Sequence, residues 1–541
     1  PKKPKFSILM PVYDPPVQYL DTAIQSVRGQ LYPEWELCIA DDASENQQVR
    51  DLLSKHAKED NRIKVVFREE NGHISNASNS ALALASGEFI ALLDHDDLLP
   101  EHALYHLART IINHPDVGLI YSDEDKVDAQ GVRHSPYFKC DFNPELMLAQ
   151  NMISHLGAFR RTLVESVKGF RTGFEGSQDY DLAFRILERI EPAQVEHIPH
   201  VLYHWRAFQG STALSTNEKK YAVDRSRRAV LEHLHRTGVD AEALPAPFVP
   251  SYHRVKFNVP ERKPMVSIII PMRDKVNLLR TCIRSILSKT NYPAYEIIVM
   301  DNGSEEPETI TYLKNLPAAK ITVMQDSSPF NYSALNNTAE KKSNGSLLCL
   351  LNNDIEVLHP EWLEEMVSFA IQPEIGAVGA RLWYDNDRLQ HAGCILGIDG
   401  VAGHAHKYVH RGDPGYFGRA VLHQELSAVT GACLLVRREV YREVRGLNES
   451  LAVCFNDIDF CLRIQQAGYR NIWTPYAQLR HHESPSRGPE DTPEKQARFL
   501  KEFDYMKNTW GNYLVNDPAY NPNLTLKTED FGLAWPPRAR E

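Results

Sequence analysis

Phe89-Ile90-Ala91-Leu92-Leu93-Asp94-His95-Asp96-Asp97 is the stretch on which the fold turns. A short apolar run of this kind reads as a buried strand, and Pro100-Glu101 opens a helix soon after it. The acids therefore emerge at the strand's carboxyl end, where open α/β sheets place their ligands. Carboxylates one residue apart offer hard oxygens to a divalent cation. The arrangement recurs downstream, where Leu347 to Leu351 is apolar and Asn352-Asn353-Asp354 follows. An acidic surface turn would explain either stretch alone. Their pairing points instead to two cation-diphosphate sites in two catalytic domains.

Outward from that stretch the first half alternates. Strands are expected at Phe6 to Tyr13, Glu36 to Ala40, Ile63 to Phe67 and Val117 to Tyr121. Helices are expected at Tyr19 to Val27, Gln48 to Lys58, Ser75 to Ala85 and Glu101 to Asn113, with Gly87 as a C-cap. This order implies a mostly parallel sheet flanked by helices, an α/β fold. Ser122 to Gly157 loses the alternation and reads as a layer over the ligand-bearing edge. A helix from Gln178 to Glu188 follows, with Ser177 or a neighbour as its cap and Asp179 in its first turn. A strand from His197 to Tyr203 leads to His204-Trp205-Arg206, and a helix from Lys219 to Thr237 closes the half.

The pattern then restarts. Pro11 and Pro271 stand 260 residues apart (271 − 11), as do Asp41 and Asp301. Asn79 with Asn337, Gly87 with Gly345, and Asp96 with Asp354 hold a spacing of 258 (354 − 96). Constant offsets through turn, amide and acidic residues mean tandem duplication of a whole domain, far longer than a solenoid period. Residues 1–240 form the first domain, 241–263 a proline-stiffened linker and 264–541 the second domain. Asp457, in Asn456-Asp457-Ile458-Asp459, lies 278 residues after Asp179 (457 − 179), so about 20 residues entered the second copy. They are placed within the glycine- and histidine-rich stretch 383–426, and a helix from Pro493 to Asn508 precedes a loop-rich tail.

A net charge of -11 over 541 residues argues against a general nucleic-acid binder, although Pro1-Lys2-Lys3-Pro4-Lys5 could form a small basic arm. Eight cysteines without a CxxC spacing argue against zinc ribbons and disulfides, and for a reducing cytoplasm. No apolar run is long enough to span a bilayer, which leaves peripheral attachment open.

No G-x-x-x-x-G-K-[ST] segment is present, so a P-loop does not hold the phosphates. No G-x-G-x-x-G follows the first strand, which disfavours a dinucleotide oxidoreductase. Asp96 or Asp354 would bind a metal, with His204 or His481 adding an imidazole, a donor set suited to Mn²⁺ or Mg²⁺. Asp179 and Asp457, at helix starts that favour the ionised form, suit a general base. Asn76, Asn79, Asn331 and Asn336 could shape a nucleotide rim or merely cap helices. Trp205 could stack on a sugar or pack. His391, His404 and His406 read as solvent-facing or acceptor-contacting rather than as a metal site. Asp181 and Asp459 leave capping and base positioning open, and Gly431-Ala432 could let an acceptor approach closely, with tight packing the safer account.

Taken together, both halves resemble inverting glycosyltransferases of family 2 with the GT-A fold, over nearly all the chain. In the first half the resemblance maps nucleotide binding to Pro11, Tyr13, Asp41 and Asp42, the DxD element to Asp94 and Asp96, and the base to Asp179. It maps the late metal or phosphate histidine to His204, with Arg206 nearby. In the second half it maps the nucleotide pocket to Pro271, Arg273 and Asp301, and the DxD variant to Asn352-Asn353-Asp354. The base there falls on Asp457 and the histidine element on His481-His482. Such a resemblance implies Mn²⁺ or Mg²⁺ and UDP- or dTDP-linked donors. It also implies an oligosaccharide or lipid-linked glycan acceptor of a bacterial polysaccharide or O-antigen, with one site per domain and separate acceptor specificities. Two other readings stay open: one catalytic domain with a degenerate glycan-binding copy, and a metal-dependent nucleotidyltransferase.

Overall fold

A computed structural model describes residues 3–207, 216–483 and 492–538, so Pro1 and Lys2 of the basic arm lie outside the described residues. The first half builds a sheet from β1 (Phe6–Val12), β2 (Trp35–Asp41), β3 (Ile63–Phe67), β4 (Phe89–Leu92), β5 (Leu119–Val127), β6 (Arg133–Tyr137), β7 (Gly157–Arg160) and β8 (Val195–Arg206). The order is β3-β2-β1-β4-β7-β5-β6, with β8 against β5. β1 pairs in parallel with both β2 and β4. Connections that leave β1 toward β2 and return beyond it to β4 create a switch point between β1 and β4, and a crevice opens there. β2 is buried throughout, which accounts for its apolar run from Leu37 to Ala40. Leu20, Ile24, Leu104 and Leu107 cover one sheet face, and Ala77, Ala81 and Phe184 lie under the other.

The second half repeats this plan. Its strands run Ile321–Gln325, Tyr295–Asp301, Val266–Met272, Leu347–Leu351, Cys433–Arg437, Ile375–Trp383, Arg470–His481 and Ile355–Val357 across the sheet. The clearest mark of duplication is a buried clamp. Ser7 Oγ donates to Glu36 at 2.6 Å and accepts the Gly87 N–H at 2.8 Å. Ser267 Oγ likewise donates to Glu296 at 2.7 Å and accepts the Gly345 N–H at 2.8 Å. Gly87 is not a helix cap, since its helix ends at Leu82. A Cβ there would sit 2.7 Å from the Lys5 carbonyl and the Ser7 nitrogen, and at Gly345 2.6 Å from the Ser267 nitrogen. Close backbone approach is what requires glycine.

The expected irregular layer begins as strand, because β5 continues to Val127. Its buried acids disguise it: Lys139 Nζ pairs with Glu124 at 3.1 Å, and Arg133 with Asp125 at 2.6 Å. The expected linker contains a hairpin of β9 (Ala241–Ala246) and β10 (Val249–Phe257). Its Ala243, Ala246 and Val255 share a core with the first half and with Val421 and Leu422 of the second. Phe138 N–H donates to the Tyr416 hydroxyl at 2.8 Å, and Arg470 reaches Glu145 at 2.6 Å. Asn521 in the tail donates to both oxygens of buried Asp123, at 3.0 and 2.9 Å. Among the described residues no helix is long and apolar enough to cross a membrane.

Burial alone would lower the His197 pKa, but Asp123 at 2.9 Å and Asp141 at 3.1 Å outweigh it and hold it at about 9. A histidine raised on folding adds stability that is full below its unfolded value near 6.5 and is lost as pH rises through 9. Asn521→Ala should lower stability by about 1–3 kcal/mol, because the buried carboxylate loses donors. Urea unfolding of both proteins between pH 6 and 10 checks this, with stability falling as pH rises in that window.

Candidate active sites

In the first half, three strand ends meet the crevice. Tyr13, just past β1, is 47% exposed at its mouth. Asp42 accepts from the Gly72 N–H at 3.0 Å and pairs with Arg68 at 2.7 Å. Asp41 is fully buried, with Arg50 at 4.0 Å and no hydrogen bond to its carboxylate among the described residues. The Pro11 carbonyl faces His95 Nδ1 at 3.2 Å.

The acidic turn is held from β8. Asp97 accepts from the Tyr203 hydroxyl at 2.6 Å and from the Arg206 N–H at 2.7 Å. Arg206 Nε donates to the Asp96 carbonyl at 2.8 Å, while no hydrogen bond to the Asp96 carboxylate occurs among the described residues. Burial raises the Asp94 pKa, with Asp96 adding to the effect and His155 opposing it. Asp94, Asp97 and His155 bring ligand atoms within 4.8 Å of one another. His204 instead lies 2.5 Å from Asp125. Asp97, Asp125 and His155 carried no role in the sequence reading; the acids within Ser122-Asp123-Glu124-Asp125 were the available signal.

Strand register separates the two late histidines. Leu98 pairs with His204, whereas its counterpart Glu356 pairs with Arg480. Trp205 therefore stands where the second half carries His481. There His481 Nε2 lies 3.1 Å from Asp354, and its Nδ1 lies 2.8 Å from Gln390. The second half lacks the first acid of the turn, Asn352 replacing Asp94, yet gains this imidazole. No side-chain hydrogen bond of Asn353 is seen among the described residues. Arg273 pairs with Glu305 at 3.1 Å, Asp301 accepts the Ser304 N–H at 2.9 Å, and Pro271 lies one residue before the end of the central strand, beside Met300.

The two prospective bases occupy matching helix starts. Asp179 opens Gln178–Leu187 and accepts from Asn151 Nδ2 at 2.8 Å. Ser177 takes the cap position without capping, since its hydroxyl donates to the Ala222 carbonyl at 2.9 Å. Asp457 accepts from the N–H groups of Gly431 and Ile458 at 2.8 and 2.9 Å. Burial raises the Asp457 pKa, and those donors restrain the rise. A Cβ at Gly431 would meet Asp457 and Tyr332 at 3.4 Å, ordinary contact rather than the tight packing expected there. Asp181 and Asp459 anchor their helices through Arg185 and Arg463, each at 2.8 Å.

Other expectations are corrected. Asn79 makes no rim: its amide donates to the Phe170 carbonyl at 2.8 Å and accepts the Phe170 N–H at 2.9 Å. Asn337 clamps Leu447 in the same way. Asn331 is a helix cap, and buried Asn336 donates to the Tyr332 carbonyl at 2.8 Å. His391 and His404 are not solvent-facing; their Nδ1 atoms are 2.7 Å apart beside Cys394. His406 accepts the Tyr416 N–H at 3.1 Å and stacks on Phe531.

Residues 7–167 and 267–445 each match the model named Glycosyl transferase family 2, together more than half of the chain. The chain belongs to glycosyl transferase family 2. It is 50% identical over 537 residues to the uncharacterized protein y4gI of Sinorhizobium fredii, covering 98% of this chain and 59% of that protein. It is 36% identical over 550 residues to the O-antigen biosynthesis protein RfbC of Myxococcus xanthus, covering 100% and 42%. The chain thus spans about half the length of these relatives. Among solved structures, residues 1–349 of Staphylococcus aureus TarS with UDP-GlcNAc match with a TM-score of 0.35 and 20% identity, covering 42% of this chain and 66% of that one. A Pyrobaculum calidifontis mannosyltransferase with GDP-Man and Mn²⁺ matches with a TM-score of 0.34 and 16% identity, covering 54% and 75%.

Because its amide serves the loop at Phe170, Asn79→Ala should lower stability by about 1–3 kcal/mol without weakening nucleotide binding. Thermal unfolding and UDP titration of the variant separate the two effects.

Proposed function

We propose that the chain is a bifunctional inverting glycosyltransferase that adds sugars from nucleotide-diphosphate donors to a growing bacterial glycan, one transfer per half. The observation that carries this reading is the repeated pairing of an acidic turn at the sheet's switch point with a carboxylate at a late helix start. The description of the Myxococcus relative as an O-antigen biosynthesis protein supports a glycan acceptor.

The donor sets fit Mn²⁺ or Mg²⁺. Asp94 and Asp96 would hold the ion in the first half, and Asp354 with His481 in the second; exchange of one carboxylate for one imidazole favours two working sites over a degenerate copy. When bound, the ion supplies positive charge against the diphosphate. Tyr13 offers an aromatic face to the nucleotide base, and buried Asp41, Asp42 and Arg206 support the donor crevice from beneath. Asp179 takes the proton from an acceptor hydroxyl whose oxygen bonds to the anomeric carbon. The bond from that carbon to the diphosphate oxygen breaks, and the nucleoside diphosphate leaves with the electron pair. Attack opposite the leaving group inverts the anomeric centre, and Asn151 holds Asp179 in place. Asp457 serves the second acceptor, held by Gly431.

Asp179→Asn and Asp457→Asn should each remove a different linkage, lowering its rate by about 10²–10⁴ while UDP or dTDP binding persists. Product analysis with Mn²⁺ checks this; loss of one shared linkage in both variants contradicts two sites. Since the Asp457 pKa is raised and the base must be ionised, the second transfer should fail, as pH drops, above the ordinary carboxylate range.

A further inference from the structure

We propose that the acceptor subsite of the first half is built jointly by both halves, Phe417 of the second providing the face on which an acceptor sugar ring stacks beside Asp179. The inference rests on the reading of Asp179 as general base.

A cavity of about 450 Å³ opens at Asp179, within the roughly 300–1,000 Å³ of small-molecule sites. Its wall comes from three parts of the chain: Asn151 and Asp179 of the first half, Tyr252 and His253 of the hairpin, and Phe417 from the 383–426 stretch of the second half. Phe417 lies flat on Tyr137, ring centroids 3.9 Å apart and planes 15° apart. Its loop is fastened across the boundary. The Phe417 carbonyl accepts from Gln150 Nε2 at 3.1 Å, and the neighbouring Tyr416 hydroxyl accepts the Phe138 N–H at 2.8 Å and donates to the Pro136 carbonyl at 3.3 Å.

The chemistry selects a carbohydrate. A pyranose presents an apolar C–H face and a rim of hydroxyls, and aromatic rings bury such a face well. One Asp179 oxygen is held by Asn151, and the other makes no hydrogen bond among the described residues, leaving it to a hydroxyl in the cavity. The His253 pKa is held down to about 4, mainly by burial, so the ring on this wall is neutral and suits an uncharged sugar. The donor crevice lies at Tyr13 and the acidic turn, so the two substrates would approach Asp179 from different parts of the fold.

The test uses the full chain and four probes: methyl α-mannoside, methyl β-glucoside, methyl α-rhamnoside and methyl β-N-acetylglucosaminide. Saturation-transfer NMR should detect binding of at least one. Phe417→Ala should weaken that binding at least tenfold and Phe417→Trp should retain it, with UDP affinity in Mn²⁺ unchanged in both and both still folded at the temperature of the measurement. Binding of no probe by the wild type, unchanged binding in Phe417→Ala, or an equal loss of UDP affinity would overturn the proposal. Glycoside binding that depends on Phe417, together with undiminished transfer in Asp179→Asn, would leave the subsite standing and reject the base.

Discussion

At Gly87 and Gly345 the backbone runs so close to the central strand that a Cβ would lie within 2.8 Å of main-chain atoms. The serine at the start of that strand closes the contact, taking the glycine N–H and donating to a glutamate on the neighbouring strand. Burial works against charge on Glu36, yet Lys5, Ser7, Ser86 and Lys64 hold its pKa below the ordinary range. This clamp fixes the register of Phe89–Leu92 on Phe6–Val12. A slip of one residue would turn every side chain to the opposite face, and the acidic turn with them. The placement of both acidic turns at the switch point depends on it.

From that shared frame the halves diverge through compensation. Where the first keeps Asp94 and carries Trp205, the second has Asn352 and His481. The strand that bears Asp123, Glu124 and Asp125 in the first half corresponds, by its pairing, to one bearing Arg381, Leu382 and Trp383 in the second. The first set of acids is absorbed by Lys139, His197, His204 and Arg133, and Asn521 reaches it from the tail. The second half thereby closes over the first instead of hanging from it by a linker.

Much of this was legible because burial leaves plain marks. Apolar runs announced the central strands, constant offsets announced the duplication, and acids at strand and helix ends marked the candidate sites. The losses have equally physical causes. Buried ion pairs broke the apolar pattern of Leu119–Val127, and prolines at the ends of hairpin strands imitated a linker. The offset shifts after the insertion, so His204 and His481 looked equivalent until strand pairing made Trp205 the counterpart of His481. Asn79 looked like a ligand contact because an amide that clamps a loop has the same one-letter signature.

The account turns on two separate nucleotide pockets in one chain. Calorimetric titration of the full chain with UDP or dTDP in the presence of Mn²⁺ measures their number directly. Two equivalents bound per chain, falling to one in Asp96→Asn and to one in Asp354→Asn, is the predicted result. A single equivalent, abolished by either substitution alone, would contradict it.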